Sequence, residues 1–99
     1  MTHYHIDTDD VIRFARELEG YDVSTLAHGS PFRVHVTEKG LVYIPLSTGR
    51  PRRHDHKWLK RVCDEFSRTN SFKAGHYHHC SKNASYALAV IQRYLTREA

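Results

Sequence analysis

The sequence has few residues of the kinds that cross-link or stiffen a chain. It holds two cysteines and three prolines in 99 residues, and no apolar run approaches the roughly 20 residues that a membrane-spanning helix needs. Two cysteines are too few for a disulfide scaffold, so the fold must depend on an apolar core. We therefore expect a single cytoplasmic domain over residues 1–99, with both thiols reduced.

Acidic residues are scarce in the second half of the chain, and the net charge of +4 conceals this asymmetry. Residues 1–49 contain four Arg/Lys and seven Asp/Glu, whereas residues 50–99 contain eleven and four. Six of the cations lie in residues 47–61, STGRPRRHDHKWLKR, where Asp55 is the single acid. This stretch, the basic segment, indicates a polyanionic or acidic partner; the alternative is a solvated surface that binds nothing.

Hydrophobic periodicity predicts three helices. Apolar residues recur at helical spacing over residues 9–19, with Asp7 or Thr8 as the cap, over residues 54–68, and after Asn83, which is expected to cap the third helix. The predicted apolar face of the second helix comprises Trp58, Leu59, Val62, Cys63 and Phe66.

Two strands are predicted between the first and second helices. Phe32, Val34 and Val36 alternate with polar residues, and a turn at residues 38–40 leads into the apolar run LVYIP. Pro45 cannot donate to a ladder, so the second strand ends there or lies at an edge. The prediction is an α+β fold of order α-β-β-α-α, in which a two-stranded antiparallel hairpin packs on three helices.

Four stretches together resemble small, poorly characterised bacterial domains carried on integron gene cassettes and other mobile DNA. They are the run F-x-V-x-V, the segment GLVYIP-x-STG-x-x-R, the tryptophan-bearing helix and NASY at residues 83–86. The resemblance covers roughly residues 30–95. It implies a bacterial, cytosolic accessory protein and assigns no active-site residue.

The basic segment combines three features of a phosphate site. Its arginines can contact phosphate in bidentate fashion, Ser47 and Thr48 add hydroxyl donors, and the N-terminus of the second helix offers free backbone N–H groups. The helix could enter a major groove, or the segment could follow phosphates while Tyr43, Tyr77 or Phe72 stacks on unpaired bases. We predict a nucleic-acid or anion-binding surface formed by Ser47, Thr48, Arg50, Arg52, Arg53, Lys57, Lys60 and Arg61.

Nine histidines raise the possibilities of metal binding and catalysis. HDH (54–56) and HYHHC (76–80) contain zinc-ligand types but no C-x-x-C or H-x₃₋₅-H spacing, so we predict no metal site and no cofactor. The two segments are expected to stay apart, because a helix of about fifteen residues, about 22 Å long, separates them. A metal-independent ribonuclease is the enzymatic alternative, with acid–base and phosphate-holding candidates His54, His56, His78, His79, Arg52 and Arg53.

A non-enzymatic dimeric interaction protein is the remaining alternative. Leu88 and Leu95 broaden the apolar stripe of the last helix, and Tyr86 and Tyr94 would suit a half-buried interface. These four residues would then form a homodimer contact. Equally, they could belong to the protein's own core.

Overall fold

The computed structural model describes residues 3–97, which form three α-helices and a four-stranded sheet. Strand order is β1-β2-β3-β4, with every neighbouring pair antiparallel. None of the helices in this part of the chain is long and apolar enough to cross a membrane. The elements are α1 (Thr8–Leu18), β1 (Val23–Ser24), β2 (Pro31–Thr37), β3 (Gly40–Pro45), β4 (Arg52–Asp55), α2 (His56–Thr69), a 3-10 helix (Ala74–Tyr77) and α3 (Ala84–Leu95).

The α+β class is confirmed, but the two-stranded hairpin was a wrong prediction. The order is α-β-β-β-β-α-α, because β1 pairs with the start of β2 and β4 pairs with β3. The missed β4 reads Arg-Arg-His-Asp, so it lacks the apolar alternation that marks a strand in a sequence. Because residues 52–55 pair with β3, α2 begins at His56 and not at His54 as predicted.

One face of the sheet packs against the helices and forms the core. Phe32, Val34, Leu41 and Tyr43 point to this inner face, and in β4 the inward position is taken by His54, which is 1% exposed. Arg33 and Arg53 lie on the opposite, outer face, as the two-residue period of a strand requires. The helices complete the core with Val11, Ala15, Leu18, Leu59, Val62, Cys63, Phe66, Ala87, Leu88, Val90 and Ile91.

Asp7 forms the predicted side-chain cap of α1, whereas the side chain of Asn83 does not cap α3. Asp7 caps α1, since its carboxylate accepts from the backbone N–H groups of Asp9 and Asp10 at 2.9 and 3.2 Å. Asn83 occupies the N-cap position of α3 without a side-chain bond to that helix. Its amide instead donates to the carbonyl oxygen of Arg53 at 3.0 Å, which ties the start of α3 to β4.

Replacing Gly40 with alanine is expected to destabilise the protein by more than about 1 kcal/mol. Gly40 has φ +148°, and a Cβ there would lie 2.4 Å from the His54 carbonyl oxygen and 2.8 Å from the His56 nitrogen. The measurement is urea unfolding, with Gly75→Ala as the control because a Cβ at Gly75 meets nothing within 4 Å. Equal stability of the Gly40→Ala variant and the parent protein would contradict this β3–β4 geometry.

Candidate nucleic-acid interface

The basic segment is divided among three elements: the turn after β3, strand β4 and the first half of α2. Ser47 and Thr48 lie in the turn, where the backbone N–H groups of Thr48 and Gly49 donate to the Pro45 carbonyl at 3.3 and 2.7 Å. The Thr48 hydroxyl oxygen accepts from the backbone N–H of Arg50 at 3.2 Å. This hydroxyl therefore already serves the turn itself.

The turn hydroxyls and the N-terminus of α2 are not brought together. Residues 49–55 separate them, and the four residues of β4 alone span roughly 13 Å as an extended strand. At the helix end, the backbone N–H of His56 donates to the Lys39 carbonyl at 2.6 Å. The Asp9 carboxylate lies 2.9 Å from the His56 ring, so a negative group already occupies this neighbourhood.

The three arginines of the segment that precede α2 face different directions. Arg50 is exposed in the turn, and Arg53 lies on the outer face of the sheet. Arg52 emerges at the rim of the inner face, with its guanidinium carbon 5.7 Å from the centre of the Tyr86 ring. The positive charge is consequently spread around the edge of the sheet instead of being concentrated in one loop.

Among residues 3–97, most cations of the basic segment have no carboxylate partner. Lys60 is the exception, since its ammonium lies 2.8 Å from Asp64, and that hydrogen bond raises the pKa of Lys60. Within residues 3–97, no carboxylate lies within 4.0 Å of the charged nitrogens of the others, Arg50, Arg52, Arg53, Lys57 and Arg61. Their charge is therefore available to an anion.

Trp58, in the first turn of α2, is more exposed than the sequence pattern predicted. It was predicted to belong to the apolar face, but 42% of it is exposed. Two cations lie over its ring, with the Arg61 guanidinium carbon 4.6 Å and the Lys57 ammonium 5.3 Å from the ring centre. We call Lys57, Trp58 and Arg61 the Trp58 platform.

The signal for this exposure was present in the helical spacing. Leu59, Val62, Cys63 and Phe66 already satisfy the i, i+3, i+4, i+7 pattern and are fully buried. Trp58 precedes that stripe by one residue, which corresponds to a rotation of about 100° around the helix axis. This rotation places Trp58 on the side of α2 that carries Lys57 and Arg61.

Of the three aromatic residues predicted to stack on bases, two are buried and the third packs on another ring. Tyr43 and Tyr77 are completely buried. Phe72 is 37% exposed, but its ring packs on Phe66 with centroids 5.0 Å apart. Trp58 is the large aromatic side chain that accompanies unpaired cations in the basic segment.

His54, a candidate general acid or base, is enclosed by the core. Its Nδ1 lies 2.8 Å from the Tyr43 hydroxyl, and its buried Nε2 has no hydrogen-bond partner among the described residues. Burial lowers the pKa of His54 from 6.5 to about 4, against smaller opposing effects of the Trp58 backbone and Asp55. The imidazole therefore stays neutral at pH 7 and is shielded from a phosphodiester substrate.

The other histidine candidates contact carboxylates or lie in solvent. His56 lies beside Asp9, His79 lies 3.0 Å from Glu65, and His78 is exposed. Among residues 3–97, no hydrogen bond or ion pair joins the histidines of residues 76–79 to Arg52, Arg53 or His54. These contacts therefore do not bring together the histidines and arginines of the ribonuclease alternative.

The proposed dimer residues on α3 all contact the protein's own core. Leu88 is 1% exposed and so is enclosed within the monomer. Tyr86 packs on Phe32 and Tyr43, with ring centroids 5.0 and 5.3 Å apart, and Tyr94 packs on Phe14. Leu95 is half-buried against the same core.

Comparison with protein-family models, curated proteins and solved structures finds no match to this chain. The resemblance of residues 30–95 to small bacterial orphan domains therefore stays a prediction. Any function must be inferred from the residues of the chain itself.

Acidification is expected to destabilise the protein through His54. In the unfolded chain this imidazole binds a proton below pH 6.5, whereas the folded protein excludes the proton until about pH 4. Protons therefore favour the unfolded state, and the free energy of unfolding should fall by roughly 3 kcal/mol between those two pH values. Urea unfolding across this range measures the loss.

The variant His54→Asn isolates this effect, because asparagine can still bond Tyr43 but does not titrate. Its stability should vary less with pH than that of the parent protein, whereas exposed His78→Asn should keep the parental dependence. The same pH dependence in His54→Asn and the parent would show that His54 is not buried in the neutral form.

Proposed function

We propose that the protein binds single-stranded nucleic acid through the Trp58 platform and the unpaired cations of the basic segment. The observation that supports this proposal is an indole that is 42% exposed and has two cations within 5.3 Å of its ring centre. Among residues 3–97, neither cation has a carboxylate within 4.0 Å. Proteins that bind single strands combine stacking aromatic side chains with a positive surface along the backbone. Both components occur here within five residues of α2.

Each component has a distinct role in the proposed contact. The indole face can stack on a base of any identity, a contact worth about 1–3 kcal/mol per base. Lys57 and Arg61 would meet the phosphates on either side of that base, and Arg50, Arg52 and Arg53 would extend the positive surface past α2. Phosphate contacts position the strand without reading its sequence.

The charge pattern of α2 favours a single strand over the major groove of a duplex. Asp64 and Glu65 follow the basic residues of α2 within about one turn, so the positive stretch is confined to the beginning of the helix. A helix lying along a groove would bring these carboxylates towards phosphates. A strand crossing the Trp58 platform avoids them.

Two lysines in α2 provide a matched test of the charge contribution. Lys57→Ala should weaken binding of a labelled single-stranded oligonucleotide more than Lys60→Ala, because Asp64 already compensates Lys60. Removing Arg52 and Arg53 together should weaken binding further and flatten its dependence on salt, since fewer counterions are released. Fluorescence anisotropy over a range of salt concentrations measures both effects.

DNA and RNA oligonucleotides and the corresponding duplex serve as parallel probes. Tighter binding of the duplex than of the single strands would indicate groove contact instead of base stacking and would contradict the proposal. No binding to any probe at about 50 mM salt would remove nucleic acid as the ligand. Equal affinities of the Arg52/Arg53 double variant and the parent protein would contradict binding through the basic segment.

A further inference from the structure

A separate cluster of metal-ligand types lies on the C-terminal half of α2. It joins Glu65 with His79 and Cys80, which follow the 3-10 helix, and one ligand atom from each residue lies within 4.8 Å of the other two. The His79 Nε2 is 3.0 Å from the Glu65 Oε2. Tetrahedral zinc, with bonds of about 2.0–2.3 Å, requires ligand atoms about 3.3–3.8 Å apart, so small side-chain movements suffice.

Hydrogen bonds of Tyr77 organise the backbone around His79 and Cys80. Tyr77 is fully buried and donates its hydroxyl proton to the Ser71 carbonyl at 2.6 Å. The backbone N–H groups of Cys80 and Ser81 both donate to the Tyr77 carbonyl, at 2.8 and 3.0 Å. This turn places the Cys80 sulfur within 4.8 Å of the Glu65 and His79 ligand atoms.

Neighbouring groups favour the charged form of Glu65 and the neutral form of the Cys80 thiol. Arg68 bonds the Oε1 of Glu65 and lowers the pKa of that carboxyl, which leaves Oε2 directed at His79. A hydrogen-bonded carboxylate of this kind is typical of metal sites, where outer partners orient the ligands. Burial and Glu65 raise the pKa of the Cys80 thiol, while Arg61 acts in the opposite direction.

We propose that Glu65, His79 and Cys80 bind a Zn²⁺ ion. A donor set of one oxygen, one nitrogen and one sulfur suits zinc and excludes the oxygen-seeking cations Ca²⁺ and Mg²⁺. His79 has a side chain that is 64% exposed, so a water molecule can complete the tetrahedron from the solvent side. Metal binding would release the thiol proton of Cys80.

This proposal departs from the prediction of no metal site. The spacing within HYHHC offers no zinc motif by itself, but the third ligand comes from Glu65, fourteen residues before His79. The site is independent of the Trp58 platform, and its test contains no nucleic acid. The two proposals can therefore fail separately.

Titration of the tag-free protein with Co²⁺, followed by displacement with Zn²⁺, tests the site. We expect one equivalent to bind and to produce a thiolate-to-cobalt charge-transfer band, which Zn²⁺ then removes. Cys80→Ser should eliminate the band, and His79→Ala should weaken binding by at least about tenfold, since even outer-shell changes have effects of this size. His78→Ala and Cys63→Ala are the matched controls and should retain the band.

Circular dichroism establishes that each variant is folded. Cys80 is buried, so if Cys80→Ser fails to fold, the exposed His79→Ala decides the question. Absence of the charge-transfer band in the parent protein would overturn the proposal. So would undiminished binding in His79→Ala, because the ion would then be held by other histidines.

Discussion

A buried hydrogen bond of 2.8 Å between the Tyr43 hydroxyl and the His54 ring joins β3 to β4 on the inner face of the sheet. β4 has no apolar side chain to bury, so this polar pair fills the position that a hydrophobic residue would normally take. The two rings also meet edge to face, with centroids 5.6 Å apart. Asp55 pairs with Gly40, α2 begins at the next residue, and Trp58 lies in its exposed first turn.

The same pairing determines how the basic residues are displayed. Successive positions of β4 alternate between the two faces of the sheet, so Arg52 reaches the rim beside Tyr86 while Arg53 faces outward. On α2 the pattern changes to a helical one, which brings Lys57 and Arg61 to the same indole ring. A run that looks like one charged loop in the sequence is thus divided between the two faces of β4 and the beginning of α2, where Trp58 is exposed.

Much of the fold follows from periodicity, and the exceptions have physical causes. The three helices, the Asp7 cap, β2 and β3 are evident in local spacing, whereas β4 depends on backbone pairing and on one buried histidine. Trp58 lies one residue before an apolar stripe that is already complete, so its hydrophobicity predicts burial although it is exposed. The cluster of Glu65, His79 and Cys80 arises from a turn that folds back on α2, which no spacing within either segment reveals.

Trp58 is the single tryptophan of the chain, so its emission reports on the proposed interface without labelling. The most direct test is to follow this emission while an unlabelled single-stranded oligonucleotide is added at low salt and salt is then raised. Stacking of bases on the indole predicts saturable quenching that high salt reverses, since phosphate contacts hold the strand in place. Unchanged emission, when an independent probe detects the bound oligonucleotide, would contradict binding at the Trp58 platform.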